Sequence, residues 1–210
     1  MDTGLFITLE GGEGAGKSTL IKGLAAQLNA LGHEVVVTRE PGGTTGAESI
    51  RNLIVTGDSE RWTPLSELCL FYAAREDHLT RLIRPALARG ATVICDRFAD
   101  STRAYLGQAG GAGRAAVETL DALIVKDTQP DLTLILDIDP VVGLSRAAAR
   151  AGKEDRFEGK AMAFHTALRA SYLEIATKFA HRCVVLDAIL PPTDLQEAAW
   201  RIVSARIARA

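Results

Sequence analysis

At 210 residues the chain is long enough for one well-buried core, and 47% hydrophobic with 24% charged residues is ordinary globular composition. A net charge of -2 argues against a nucleic-acid coat or a binder of anionic membranes, and three scattered cysteines without a CxxC pair argue against a disulfide framework. No stretch reaches the roughly 20 apolar residues of a membrane helix, and the first residues carry no basic leader. The expectation is a cytoplasmic protein with neither membrane nor nucleic-acid polymer as partner.

In chain order, residues 5–9 ("LFITL") form a β-prone run that ends at a cluster of glycines. Leu20, Ile21, Leu24, Leu28 and Leu31 then recur at helical spacing until Gly32 stops the pattern. Residues 35–37, 92–96, 132–139 and 183–187 predict four more strands. All five runs are apolar throughout rather than alternating, as in strands covered on both faces. Helices are predicted over 64–89, the longest, and over 140–151, 160–179 and 193–208. Pro64 stands near the start of the first, Gly90 just past its end and Pro85 late inside it. The alternation predicts an α/β fold, a five-stranded parallel sheet with helices on both faces, and one domain over 1–210.

The glycines read "GGEGAGKST". Gly11-x-x-x-x-Gly16-Lys17-Ser18 matches G-x-x-x-x-G-K-[ST] in full, after a predicted strand and before a predicted helix. Such a P-loop turns backbone N–H groups around phosphate oxygens, and the helix N-terminus adds positive potential. Residues Gly11, Gly12, Glu13, Gly14, Ala15, Gly16, Lys17, Ser18 and Thr19 are therefore the expected nucleoside-triphosphate segment, which the resemblance below makes ATP-binding. Lys17 is expected to reach the β- and γ-phosphates and Ser18 to ligate Mg²⁺. The fold class narrows to a P-loop NTPase.

Ligands of open parallel sheets bind beyond the carboxyl ends of the strands. Those ends carry Glu10, the loop "TREPGGT" from Thr38, "DRF" from Asp96, and Asp137 with Asp139. Asp96 suits indirect Mg²⁺ coordination, and Arg97 offers a planar fork to another phosphate; a structural ion pair is the alternative. Capping before Pro140 accounts for Asp139 without a ligand. Phe71 and Arg75 lie four apart on one helix face. Stacking on a heterocycle, or a core Phe beside a solvated Arg, both fit that spacing. Arg146, Arg150, Lys153 and Arg156 form a basic cluster that fits a phosphate-covering lid over about 150–158, or a solvated helix end.

Together these motifs resemble the thymidylate kinase family, of the bacterial type with lid arginines. "LEGGEGAGKST", "TREPGGTTGAESIR", "LFYAAREDHL", "CDRFADSTRAY" and "DRFE" occur in the family's order over nearly the whole chain. The resemblance implies transfer of a phosphoryl group from ATP to dTMP with Mg²⁺, in dTTP biosynthesis, by a homodimer. It implies a dTMP site of Glu13, Arg39, Glu40, Pro41, Arg51, Phe71, Arg75, Arg97, Thr102 and Tyr105. Phe71 would stack on thymine, Arg75 bond its edge, and Tyr105 crowd the sugar 2′ position. Lys17, Arg97, Arg150 and Arg156 would be the catalytic cations, with Ser18 and Asp96 at the metal. The chain departs from the family's Tyr-Gln-Gly at Tyr105-Leu106-Gly107. The acceptor is already an anion, so no general base is required, and His33, His78, His165 and His181 form no recognisable catalytic set. The rival reading is a P-loop kinase acting on another nucleoside or nucleoside monophosphate.

Overall fold

A computed structural model describes residues 4–58, 60–149 and 160–208. Five strands, β1 (Phe6–Gly11), β2 (Val35–Arg39), β3 (Thr92–Asp96), β4 (Leu132–Asp137) and β5 (Cys183–Asp187), form one sheet in the order β2-β3-β1-β4-β5. Every pairing is parallel. The register sets Leu9 beside Asp96 and Arg39 beside Asp96, so the carboxyl ends of β1, β2 and β3 share one rim.

Helices cover both faces, as the unalternating strands require. On one face Ile7, Leu9 and Leu134 pack against Leu20, Leu24 and Leu28 of α1 (Lys17–Ala30) and against Leu195 and Val203 of α9 (Pro192–Ile207). On the other, Phe6, Val93 and Ile135 pack against Leu68 and Tyr72 of α3 (Pro64–His78) and Leu168 and Tyr172 of α8 (Met162–Lys178). Burying a large apolar side chain stabilises by about 1.5–3 kcal/mol, so these two stripes supply most of the drive that holds the rim in place.

The helix expected over 64–89 is not continuous. After α3 the chain widens into a π turn at Leu79–Ile83 and resumes as α4 (Arg84–Ala88). Pro85 has no N–H to give and its ring crowds the preceding turn, and the wider turn accommodates both. Among the described residues the longest unbroken helix is therefore α8, with 17 residues against 15 in α3.

Three helical segments have no counterpart in the periodicity reading. They are α2 (Thr45–Val55), α5 (Ala99–Thr102) continued by a π turn at Arg103–Ala109, and α6 (Arg114–Ile124). Helix α7 (Pro140–Ala148) starts where Asp139 accepts a hydrogen bond from the Val141 N–H at 2.9 Å, the capping role expected of it. Asp137 is held by Arg169 at 2.7 and 2.8 Å. Arg146 donates to the Ala188 carbonyl at 2.9 Å. Arg150, Lys153, Arg156 and the expected lid at 150–158 lie outside the described residues.

Candidate active site

The first glycines leave β1 and bend back over the sheet rim. Gly14 has φ +70°, and a Cβ there would sit 1.9 Å from the Gly143 carbonyl oxygen, so only glycine fits. Helix α1 begins at Gly16 with no side-chain cap and no acidic residue in its first turn. Its positive pole is left for an anionic ligand. Lys17 is buried, and its Nζ donates to the Gly11 and Gly12 carbonyls at 3.1 Å each. Burial and the nearby Arg97 pull its pKa below the ordinary lysine value, against the pull of Asp96, Glu13 and Glu10. Ser18 Oγ donates to Asp96 Oδ2 at 3.2 Å, while Asp96 Oδ1 is buried without a hydrogen-bond partner.

Beside this loop stands Arg97, in an unusual backbone state with φ 69°. Such a conformation costs on the order of 1–3 kcal/mol and persists only where neighbours impose it. They do so here. The Arg97 N–H donates to the Leu9 carbonyl, and the next N–H, of Phe98, donates to Glu10 Oε1 at 2.8 Å. Glu10 is fully buried at the end of β1 and also accepts from Ser101 Oγ at 2.5 Å. Burial and the charge of Asp100 push its carboxyl up to about 7, against the pull of Ser101, Arg97 and Phe98.

The guanidinium of Arg97 donates to the Gly11 carbonyl (2.9 Å), Ser101 Oγ (3.2 Å), Tyr172 OH (3.1 Å) and Glu13 Oε1 (2.8 Å). Burial works against its charge, but Tyr105 and Glu13 outweigh it and hold its pKa well above the ordinary arginine value. Glu13 also accepts from Tyr105 OH at 2.7 Å. Burial would raise its carboxyl; Arg97, Lys17 and the Tyr105 hydroxyl win and bring it down to about 2.

Farther along the rim, α3 presents Phe71 and Arg75. Arg75 is 1% exposed, which rules out a solvated arginine. Its Nε donates to Glu40 Oε2 at 2.8 Å and its Nη2 to Thr102 Oγ1 at 2.8 Å. The guanidinium carbon lies 4.7 Å from the Tyr72 ring centre and 5.1 Å from that of Phe98. Nη1 is buried without a partner. Burial would raise the Glu40 carboxyl, but Arg75 and His78 together hold it below the usual carboxylate value. Arg39 pairs with Glu48 at 2.9 Å on the exposed side of the loop, and Arg51 Nη1 donates to the Pro41 carbonyl at 2.7 Å.

A single cleft of about 320 Å³ joins these parts, in the size range of small-molecule sites. Glu13, Arg39, Glu40, Pro41, Arg51, Phe71, Arg75, Arg97, Thr102 and Tyr105 all line it, with Gly14, Ala15, Gly16, Lys17, Ser18 and Asp96. Gly11, Gly12 and Thr19 lie outside its wall. The arrangement brings an uncapped helix pole and an aromatic–guanidinium pocket into one space that Lys17 and Arg97 also line. Leu106 adds an apolar wall beside Tyr105.

Sequence reasoning left four contributors without a role: Glu10, Ser101, Tyr172 and His78. Glu10 was detectable as a lone carboxylate closing an apolar run. His78 stands one turn after Arg75, the helical spacing that brings side chains together. Ser101 and Tyr172 carry no local signal, since α8 reaches Arg97 only through the fold.

A thymidylate kinase family model matches residues 9–199. The chain belongs to the thymidylate kinase family. It is 58% identical to the thymidylate kinase of Caulobacter vibrioides over 188 residues, covering 90% of this chain and 90% of that relative. To the thymidylate kinase of Ruegeria pomeroyi it is 53% identical over 185 residues, covering 88% and 87%. The crystal structure of thymidylate kinase from Ehrlichia chaffeensis matches with a TM-score of 0.78 at 34% identity, covering 96% of this chain and 99% of that one. Sheet, phosphate loop and cleft thus belong to a family of P-loop phosphotransferases.

Proposed function

We propose that the chain transfers the γ-phosphoryl group of ATP to the phosphate of dTMP, giving dTDP and ADP. A non-bridging oxygen of the dTMP phosphate attacks the γ-phosphorus in line, the bond to the β–γ bridging oxygen breaks, and ADP leaves with that electron pair. The acceptor oxygen is already anionic, so no side chain has to remove a proton. The work is to bring two anions together and to neutralise the charge between them.

The observation that carries this reading is the shared cleft. The phosphate-loop segment would cup the ATP phosphates, with Lys17 on the β- and γ-phosphates. Phosphate oxygens would favour the charged form of Lys17, whose pKa burial depresses. Arg97 would hold the acceptor phosphate, and Arg39 and Arg51 line the same cleft. Phe71 offers a ring face for the thymine, and Arg75 Nη1 offers donors only, which suits a base carbonyl. Tyr105 and Glu13 would fit the deoxyribose. From the family resemblance, Arg150 and Arg156 supply further cations over the γ-phosphate, and the enzyme works as a cytoplasmic homodimer built from one domain per chain. Among the described residues no helix is long and apolar enough to cross a membrane.

Residues present fit a divalent cation. Asp96 keeps a buried oxygen without a protein partner, and the Ser18 hydroxyl lies beside its other oxygen. Among the described residues no three His, Cys, Asp or Glu side chains converge as a metal cage. A hard cation that keeps its water and leans on phosphate oxygens suits such a site, which favours Mg²⁺. When bound it would neutralise charge on the β- and γ-phosphates.

A coupled ADP-release assay with ATP and Mg²⁺, run in parallel with dTMP, dUMP, dCMP, AMP and GMP, tests the reading. Turnover is expected to be fastest with dTMP. A preference for AMP or GMP would hand the site to another nucleotide kinase.

A further inference from the structure

His78 lines no part of the cleft and is fully buried, yet both its ring nitrogens are engaged. Nδ1 lies 3.1 Å from Glu40 Oε1 and Nε2 lies 2.7 Å from Thr38 Oγ1. Glu40 divides its oxygens, turning Oε1 to His78 and Oε2 to the Nε of Arg75. A carboxylate only accepts, so Nδ1 carries a proton toward Glu40, while Nε2 meets the Thr38 hydroxyl, which can donate or accept.

The contacts run in one series, from Thr38 to the ring, from the ring to the carboxylate, and from the carboxylate to the guanidinium. Thr102 Oγ1 takes Nη2 of Arg75, and Nη1 is the donor the protein leaves unmatched. The loop also makes room for the first link. Gly43 has φ +88°, and a Cβ there would lie 2.4 Å from both His78 Nε2 and Thr38 Oγ1. The second glycine of "EPGG" thus protects the histidine–threonine contact.

We propose that His78 is a positioning residue for the acceptor nucleotide: with Thr38 it locks Glu40 in the orientation that holds the Arg75 guanidinium in the wall of the cleft. The proposal rests on the dTMP reading of the cleft. Without His78, one Glu40 oxygen loses its partner, the carboxylate is released to rotate, and Arg75 loses its alignment. The phosphate loop is untouched.

Steady-state kinetics on the full chain test this. His78→Leu removes both hydrogen bonds. It is expected to raise KM for dTMP about tenfold while KM for ATP and kcat stay within about twofold. His78→Asn retains a donor for Glu40 and is expected to recover most of that loss. Thr38→Val removes only the hydroxyl and is expected to raise KM for dTMP about threefold. Should His78→Leu fail to fold, the same KM comparison on Thr38→Val decides. A merely space-filling histidine predicts lower melting temperatures with KM unchanged in every variant, which would overturn the proposal. Arg75→Lys separates the two levels. If it leaves KM for dTMP unchanged, the acceptor reading itself is wrong. If it raises KM while His78→Leu and Thr38→Val do not, only the relay is wrong.

Discussion

The two ends of the cleft are built by different means. The end proposed for the donor is backbone: a contiguous glycine loop and a helix pole without a side-chain cap, with Ser18 exposed at its start. The end proposed for the acceptor is side chain: Thr38 in β2 and Glu40 just after it, Arg75 and His78 on α3, and Thr102 on α5 meet in a buried hydrogen-bonded set. A triphosphate needs many similar N–H donors, which any residue supplies once the chain is bent correctly. A base needs a ring face and a few donors at fixed positions, and only supported side chains hold those. Arg97 ties the loop to the rest of the cleft wall, since it bonds the Gly11 carbonyl and Glu13 on one side and Ser101 and Tyr172 on the other.

The largest expected effect tests that shared role. Arg97→Ala should lower kcat on the order of 10³-fold, as for other clamps on transferring phosphates. Far-UV circular dichroism should stay native. Near-normal turnover would break the comparison at its hinge.

Next comes the buried acceptor set. Arg75→Ala strands Glu40 without its main counter-charge and should cost about 3–5 kcal/mol in urea unfolding, besides weakening dTMP binding. A loss below about 1 kcal/mol would mean that the set is solvated and dispensable.

A smaller effect lies at Glu10. Its pKa is raised from the ordinary 4.5 to about 7 in the fold, so the folded state binds the extra proton. That contribution is full below pH 4.5 and is lost as pH rises through 7. Glu13, brought down to about 2, acts in the opposite sense: its contribution is present above pH 4.5 and is lost as pH falls through 2. Unfolding free energy of the parent should therefore decline relative to Glu10→Gln between pH 5 and pH 7.5, and parallel curves would count against the assignment.

The smallest effect belongs to the loop's outer face. Arg39 and Glu48 are 51% and 39% exposed, so Arg39→Ala should change stability by less than about 1 kcal/mol. A rise in KM for dTMP without a change in melting temperature would sharpen the contrast with Arg75, separating a contact made by the ligand from one made by the fold.

The sequence alone determined the five strands, the helices that bury a regular apolar stripe and the phosphate loop, because those signals are local and periodic. Asp139 as a cap was legible for the same reason. The expected helix through Pro85 gained a π turn because the missing N–H and the ring's bulk are absorbed by geometry that spacing does not encode. Helix α6 is the exception: its apolar residues Val117, Leu120 and Ile124 have helical spacing but follow a glycine-rich run and have no counterpart in the periodicity reading. Only the tertiary structure decided that Arg75 is buried rather than solvated, that Tyr172 reaches Arg97 from 75 residues away, and that Glu10 closes the turn holding Arg97 at positive φ. Burial and hydrogen-bond partnership depend on which elements the sheet sets side by side, and a strand or helix does not carry the identity of its neighbours in its own residues.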